Sequence, residues 1–160
     1  MIVYLGLGSN MGDRMKYLEA ARNLLNAREI EILKTSRAYE TEPFSKEDGS
    51  TWFLNQAVEV RTDLSPQALL KATQEIERHV GRDAAQHPGS RCIDIDILLY
   101  GDLVVDLPEL QIPHASLSQR RFALVPLLEI APVLKDPISR ESFRSLLSRC
   151  KDGHKVIPFL

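Results

Sequence analysis

Residues Arg91-Cys92-Ile93-Asp94-Ile95-Asp96-Ile97-Leu98-Leu99-Tyr100 alternate apolar and acidic side chains before closing on an apolar run. That period of two belongs to a strand and not to a helix. In a strand Ile93, Ile95 and Ile97 share one face, and Asp94 and Asp96 stand together on the other. Aspartate is depleted from strands, and two carboxylates roughly 7 Å apart on a partly buried face repel unless something cationic lies between them. Two readings stay open for the segment alone: a solvated face that carries two aspartates, or a pair that holds divalent metal. Carboxylate oxygens suit Mg²⁺ rather than a soft metal, and a pair on a stiff strand could bridge two ions about 3.5–4 Å apart.

The elements around this strand limit the fold. Ile2 to Gly8 is apolar and ends in Gly8-Ser9-Asn10, the pattern of a buried first strand running into a turn. Asn10 or Asp13 can cap a helix over Met15 to Asn26, whose Leu18, Ala21 and Leu25 share a face. Ile30 to Tyr39 reads as a second strand. Glu40 to Thr51 is a polar loop longer than a connection requires, a kind often tied to function. Phe53 to Thr62 reads as a third strand, with Phe53, Asn55, Ala57 and Glu59 on one face and Leu54, Gln56, Val58 and Val60 on the other. Ser65, Pro66, the stripe Leu69-Thr73-Ile76-Val80 and Gly81 mark both ends of a second helix. Arg82 to Ser90, nearly without apolar residues, predicts a mobile loop leading into the diaspartate strand. Beyond it, Leu103-Val104-Val105 pairs or turns, Arg121 to Ile130 is helical until Pro132, and Ser142 to Arg149 forms one more short helix. The order β-α-β-β-α-β is that of the ferredoxin-like unit, an α+β antiparallel sheet with helices on one face, here with C-terminal helical additions.

A chain of 160 residues that is 44% hydrophobic is expected to form a single domain over residues 1–160. A net charge of −2, with both signs interspersed, excludes a general nucleic-acid or membrane-surface binder, so any bound anion must be met locally. Cys92 and Cys150 are far apart and have no metal-ligand spacing. The start at Met1-Ile2-Val3-Tyr4 shows no leader, and no apolar run reaches about 18 residues, so a cytoplasmic protein is expected, as a monomer.

Other motifs are weaker. Gly6-x-Gly8 with Gly12 departs from the dinucleotide spacing, and the strands after it do not alternate with helices. No Walker phosphate loop is present. His79 fits a helix surface, His154 a tail, His114 a turn, and Arg120 and Arg121 the solvated start of a helix. Yet Glu77, Arg82, Arg91, His114 and Arg120 all fall at element ends adjoining the diaspartate strand. A metal pair with several cations suits a polyphosphate.

In chain order, Gly8-Ser9-Asn10, Tyr39-Glu40-Thr41-Glu42-Pro43, Phe53-Leu54-Asn55, Glu77 with Gly81-Arg82, Arg91-x-x-Asp94-x-Asp96-Ile97, and Pro113-His114 followed by Arg120-x-Phe122-x-Leu124-x-Pro126-Leu127 resemble the 6-hydroxymethyl-7,8-dihydropterin pyrophosphokinases of folate biosynthesis. The resemblance implies transfer of a pyrophosphoryl group from MgATP to the hydroxymethyl oxygen of 6-hydroxymethyl-7,8-dihydropterin, with release of AMP. It implies that Asp94 and Asp96 hold two Mg²⁺ and that Arg82, Arg91, His114 and Arg120 meet the phosphates. It places Glu77 at the ribose with Gln74 close by, and Ile97 with the nucleotide. It implies that Asn55 and the backbone of Thr41, Glu42, Pro43 and Phe44 read the pterin edge beside Asp94, while Phe53 and Phe122 stack on the ring. Arg82, Arg91, Asp94 and Asp96 would carry catalysis, by positioning and charge neutralisation.

One departure stands out. The family commonly has a basic loop ending Arg-Trp-Gly-Pro-Arg, where this chain has His87-Pro88-Gly89-Ser90-Arg91 and a shorter loop. Weaker loop closure is expected here. Two other classes predict different behaviour: a sensor module would bind ligand without forming AMP, and an RNA-binding module would sit poorly with the acidic balance.

Overall fold

In the computed structural model, which describes residues 1–43, 51–81 and 92–160, the central strand is Ile2–Ser9 (β1). It pairs antiparallel with Phe53–Arg61 (β4) on one side and with Asp94–Tyr100 (β5) on the other. Between β1 and β4 come the helix Arg14–Ala27 (α1) and the strands Glu31–Thr35 (β2) and Tyr39–Thr41 (β3). The helix Pro66–Val80 (α2) follows β4. Both helix starts agree with the side chains that precede them: Asp13 accepts from Lys16 N, and Ser65 from Ala68 N with Pro66 in the first turn. With β5 beside β1, β1 beside β4, and β2 and β3 beyond β4, the strand order is that of the ferredoxin-like unit.

The single strand expected over Ile30 to Tyr39 is two strands. β2 pairs with the C-terminal half of β4 and β3 with its N-terminal half. The break lies at Ser36, whose N–H donates to Ala57 O at 2.9 Å and whose Oγ accepts from Ala57 N–H, also at 2.9 Å. A side-chain oxygen thus replaces one main-chain acceptor in the ladder, while Ser36 O turns to accept from Gln56 Nε2 at 2.8 Å. The sheet also has a strand that the sequence reading lacks. Val156–Pro158 (β8) pairs with the outer side of β3.

Parity along the strands sorts the core into two layers. Val3, Leu5 and Leu7 of β1, Leu54, Val58 and Val60 of β4, and Ile95 and Ile97 of β5 pack against Leu18, Ala21 and Leu25 of α1 and Leu69 and Ile76 of α2. Tyr4, Ala57, Leu98 and Leu99 face the other way. Leu98 and Leu99 reach the same layer through a bulge: Tyr4 pairs with Leu99 and Leu5 with Ile97, which leaves Leu98 as the extra residue. That apolar half-face has to be covered, and the helices Arg121–Ile130 (α3) and Phe143–Ser148 (α4) cover it with Leu124, Leu127, Ile130 and Phe143. Helices on one face therefore describe α1 and α2 only; the C-terminal pair lies on the opposite side. The hairpin Val105–Leu107 (β6) and Leu110–Ile112 (β7) leads into it from β5.

α3 is tied to the sheet at its far end as well. Glu129 accepts from Tyr39 OH at 2.5 Å and from Arg37 N–H at 2.8 Å. Burial first, and then the Glu129 carboxylate, push the Tyr39 hydroxyl up to about 12. Among the described residues no helix is long and apolar enough to cross a membrane.

Candidate active site

The face that α3 and α4 cover at one end is left open at the other, where Gly6, Gly8, Asn55, Asp94 and Asp96 come together. β1 pairs Gly8 with both Asn55 and Asp94, and Gly6 with Asp96. Each aspartate thus has a glycine beside it, and no β1 side chain fills the space over the sheet. The same absence serves Asn55. A Cβ on Gly8 would lie 2.6 Å from Asn55 Oδ1, so only glycine leaves room for that amide. Asn55 Nδ2 donates to Thr41 Oγ1 at 2.5 Å, and both residues are buried, so the amide is held with Oδ1 over Gly8.

Two cavities meet here. The first, about 320 Å³, lies between the sheet and the start of α3; its walls include Gly6, Gly8, Asn55, Thr41–Pro43, Phe53, Phe122, Leu98 and Pro126. The second, about 490 Å³, opens towards α2 and is lined by Leu70, Gln74, Glu77, Ile95 and His114. Phe53, Asp94, Asp96 and Arg120 line both. Next to the second, a cavity of about 250 Å³ has Leu70, Ile97, Pro108 and Leu110 in its apolar walls and also touches Asp96 and His114. The border is therefore acidic with one arginine, one chamber is aromatic, and the other is polar with an apolar recess.

Several side chains are held in ways the sequence did not foretell. β5 is the edge of the sheet, and Glu77 Oε2 accepts from the outward N–H of Ile95 at 3.0 Å, so α2 grips the strand between its two aspartates. His114 follows a cis Ile112–Pro113 peptide, donates its N–H to Leu98 O at 3.0 Å, and accepts from Ser116 N–H on ring Nδ1 at 3.2 Å. In its neutral form the ring proton then sits on Nε2, which makes that atom a donor. The Arg120 guanidinium lies 5.6 Å from the centroid of the Phe122 ring, a cation–π distance.

The fold thus brings together Thr41, Glu42, Pro43, Phe53, Asn55, Gln74, Glu77, Asp94, Asp96, Ile97, His114, Arg120 and Phe122 in adjoining cavities. Phe44, Arg82 and Arg91, and with them the His87-Pro88 departure and the expected mobile loop, lie outside the described residues. Gly6, Gly8, Leu70, Leu110 and Pro126 line these cavities as well, beyond the site residues expected from the sequence. The two glycines were open to detection, because alternate glycines inside a strand mark a place where something approaches the backbone closely.

For divalent metal the donor set is hard but small. Among the described residues no group of three His, Cys, Asp or Glu side chains could hold an ion. Asp94 and Asp96 fit Mg²⁺ in chemistry, since that ion keeps several waters and binds through one or two carboxylates together with substrate phosphates.

The sequence matches the family model described as 7,8-dihydro-6-hydroxymethylpterin-pyrophosphokinase (HPPK) over residues 4–132. It is 47% identical over 137 residues to the 2-amino-4-hydroxy-6-hydroxymethyldihydropteridine pyrophosphokinase of Porphyromonas gingivalis, covering 83% of this chain and 92% of that one. It is 40% identical over 149 residues to the folic acid synthesis protein fol1 of Schizosaccharomyces pombe; that match covers 92% of this chain and 20% of fol1, so the chain spans about a fifth of that relative's length. A crystal structure of Plasmodium falciparum HPPK-DHPS A437G with SDX-DHP aligns at a TM-score of 0.75 and 19% identity, over 92% of this chain and 45% of that one. At that identity the likeness shows the fold alone.

Proposed function

This chain belongs to the 7,8-dihydro-6-hydroxymethylpterin-pyrophosphokinase family, and we propose that it transfers the β,γ-pyrophosphoryl group of MgATP to 6-hydroxymethyl-7,8-dihydropterin. The observation that carries this reading is the shared border: Phe53, Asp94, Asp96 and Arg120 line both the aromatic and the polar cavity. Two ligands that fill the two cavities would meet at these side chains. In the step proposed, the hydroxymethyl oxygen bonds to the β-phosphorus, the bond from that phosphorus to the α,β-bridging oxygen breaks, and AMP leaves with the bridging oxygen. The hydroxyl proton is released to water.

The residues suit these parts. A planar pterin fits between Phe53 and Phe122, since aromatic faces stack on heterocycles. Asn55, Thr41 and the backbone of Glu42 and Pro43 offer donors and acceptors to its edge, in a cavity with few other polar groups. On the nucleotide side, Ile97, with Leu70 and Leu110, gives the base an apolar recess, and Gln74 and Glu77 stand near the ribose. His114 Nε2–H and Arg120 donate to the phosphates, as do Arg82 and Arg91 by family resemblance. Asp94 and Asp96 would hold two Mg²⁺, which supply charge neutralisation for the triphosphate and help the hydroxyl ionise. Asp94 also borders the pterin cavity. The protein's own contribution is then orientation and fixed charge, the two largest sources of rate in phosphoryl transfer. The reading takes the enzyme to be a cytoplasmic monomer, with both cavities lined by one chain.

Incubation with MgATP and 6-hydroxymethyl-7,8-dihydropterin tests the reading. AMP and pterin diphosphate should appear in equal amounts. Pterin binding with no AMP would leave a binding module, and ADP in place of AMP would mean a different group is transferred.

A further inference from the structure

Residues 133–160 lie beyond the stretch that matches the family model, and the end of this tail touches both walls of the aromatic cavity. One wall is Thr41–Pro43 and the other is the first turn of α3, with Arg120 and Phe122. β8 pairs Val156 with Thr41, Glu42 N–H donates to Lys155 O at 2.9 Å, and Lys155 N–H donates back to Glu42 Oε1 at 3.2 Å. Asp152, in the same tail, reaches the opposite wall. Its Oδ2 accepts from Arg121 N–H at 3.0 Å, and its Oδ1 accepts from His154 N–H at 2.9 Å and lies 2.6 Å from His154 Nδ1.

α3 needs an external acceptor there. Its N-cap residue is Arg120, which makes no capping hydrogen bond, whereas helices usually begin with Ser, Thr, Asp or Asn for this purpose. The Asp152 side chain is 3% exposed, a position costly for a carboxylate unless its oxygens are hydrogen-bonded, as both are. Burial by itself would raise its pKa; the bonds from His154 and from Arg121 N–H outweigh it and hold the carboxyl below its ordinary value. The charge also sits at the positive end of the helix dipole.

We propose that Asp152 is a positioning residue for the pterin cavity: through Arg121 it holds the turn that carries Arg120 and Phe122, and through residues 152–156 it braces that turn against Thr41–Pro43. The inference rests on the reading of this cavity as the pterin site. Stacked rings make the spacing matter, because a gap of about 0.5–1 Å already forfeits a quarter to a half of a dispersion contact.

The test uses the full chain with Asp152→Ala and Asp152→Asn. Three quantities are read: pterin affinity by calorimetry, pterin KM against kcat in AMP formation, and amide hydrogen exchange at Glu42 and Arg121–Ala123. Asp152→Ala should weaken pterin binding about tenfold, raise KM more than it lowers kcat, and speed exchange at both walls while α1 and α2 are unchanged. Asp152→Asn, which keeps an acceptor for Arg121 N–H, should recover most of the affinity. In a Phe122→Ala background Asp152→Ala should add little further loss, because the two act through one contact. An Asp152→Ala protein that exchanges faster at Arg121 yet binds pterin within about twofold of the parent would reduce Asp152 to a stability cap. Should that variant not fold, Asp152→Ser, whose shorter side chain cannot reach Arg121 N–H, is read in its place, and faster exchange at Arg121 with pterin binding within about twofold of the parent overturns the idea equally. A parent chain that neither binds pterin nor forms AMP defeats the substrate reading instead. The brace is then judged on exchange alone, and fails if Arg121–Ala123 respond while Glu42 does not.

Discussion

Gly8 and Asp96 show how much of this site depends on what a position leaves empty. Replacing Gly8 with Ala would put a methyl group 2.6 Å from Asn55 Oδ1, and neither the strand nor the amide held by Thr41 has room to give. Gly8→Ala should therefore turn Asn55 out of place and cost pterin binding about 1–3 kcal/mol, the usual loss when a buried polar group loses its partner. Calorimetry with pterin and, separately, with a nonhydrolysable ATP analogue checks this, since nucleotide affinity should stay close to the parent's. Asp96 makes the complementary case. It is exposed beside Gly6 on the border of both cavities, so Asp96→Ala should lower kcat by a factor of about a hundred or more in a protein whose thermal transition shows that it is folded. Near-normal turnover in that variant would remove the metal assignment. The common face of the two aspartates was legible from alternation alone, as period two leaves no other arrangement in a strand. The Asn55–Thr41 bond was not, because it joins residues from two strands whose register no local pattern reveals.

Helix α2 was readable at both ends, for Ser65-Pro66 and Gly81 flank its apolar stripe closely, whereas the start of α1 stayed open between Asn10 and Asp13 until the fold placed the cap at Asp13. The short strands were not readable, since three residues carry no period. The junction between β2 and β3 is instead a matter of one side chain: Ser36 Oγ is the acceptor for the buried Ala57 N–H. Ser36→Ala should cost about 1–3 kcal/mol in urea unfolding, more than an exposed serine would, because the N–H is left without an acceptor. The bond from Tyr39 to Glu129 gives a second test, on the alkaline side. A hydroxyl whose pKa rises from 10.0 to about 12 contributes stability that is complete below the unfolded value and is lost as pH climbs through the folded one. Stability should accordingly fall between about pH 10 and 12, and Tyr39→Phe should flatten part of that decline. An unchanged alkaline limb in Tyr39→Phe would show that the tie between α3 and β3 does not titrate there.

Asp152 ties the C-terminal tail to the start of α3, and that tie bears on acid stability. Its carboxyl is held below the ordinary value of 3.8, so the stabilisation it gives is present above that value and disappears as pH falls through the lower folded one. Asp152→Asn should be less stable than the parent near neutral pH, while the two unfolding curves converge once pH has fallen through the lowered folded value. Curves that stay separate at low pH would mean that shape, not charge, makes the difference. Sedimentation tests the proposed monomer: a single species near 18.1 kDa is expected, and a larger species would overturn it.

Where the cause of a feature lies within three or four residues, the sequence already contained it: the capped helices, the order of the main strands, the shared face of Asp94 and Asp96, and the motifs that mark the family. Alternation tells which side chains share a face but not what stands opposite that face. Only the folded chain brings Glu77 onto the Ile95 N–H, sets Gly8 under Asn55, joins two cavities at the aspartates and carries Asp152 to the start of α3. Each of these pairs residues far apart in the chain, and their meeting depends on register and on the covering of both sheet faces, which no local periodicity encodes.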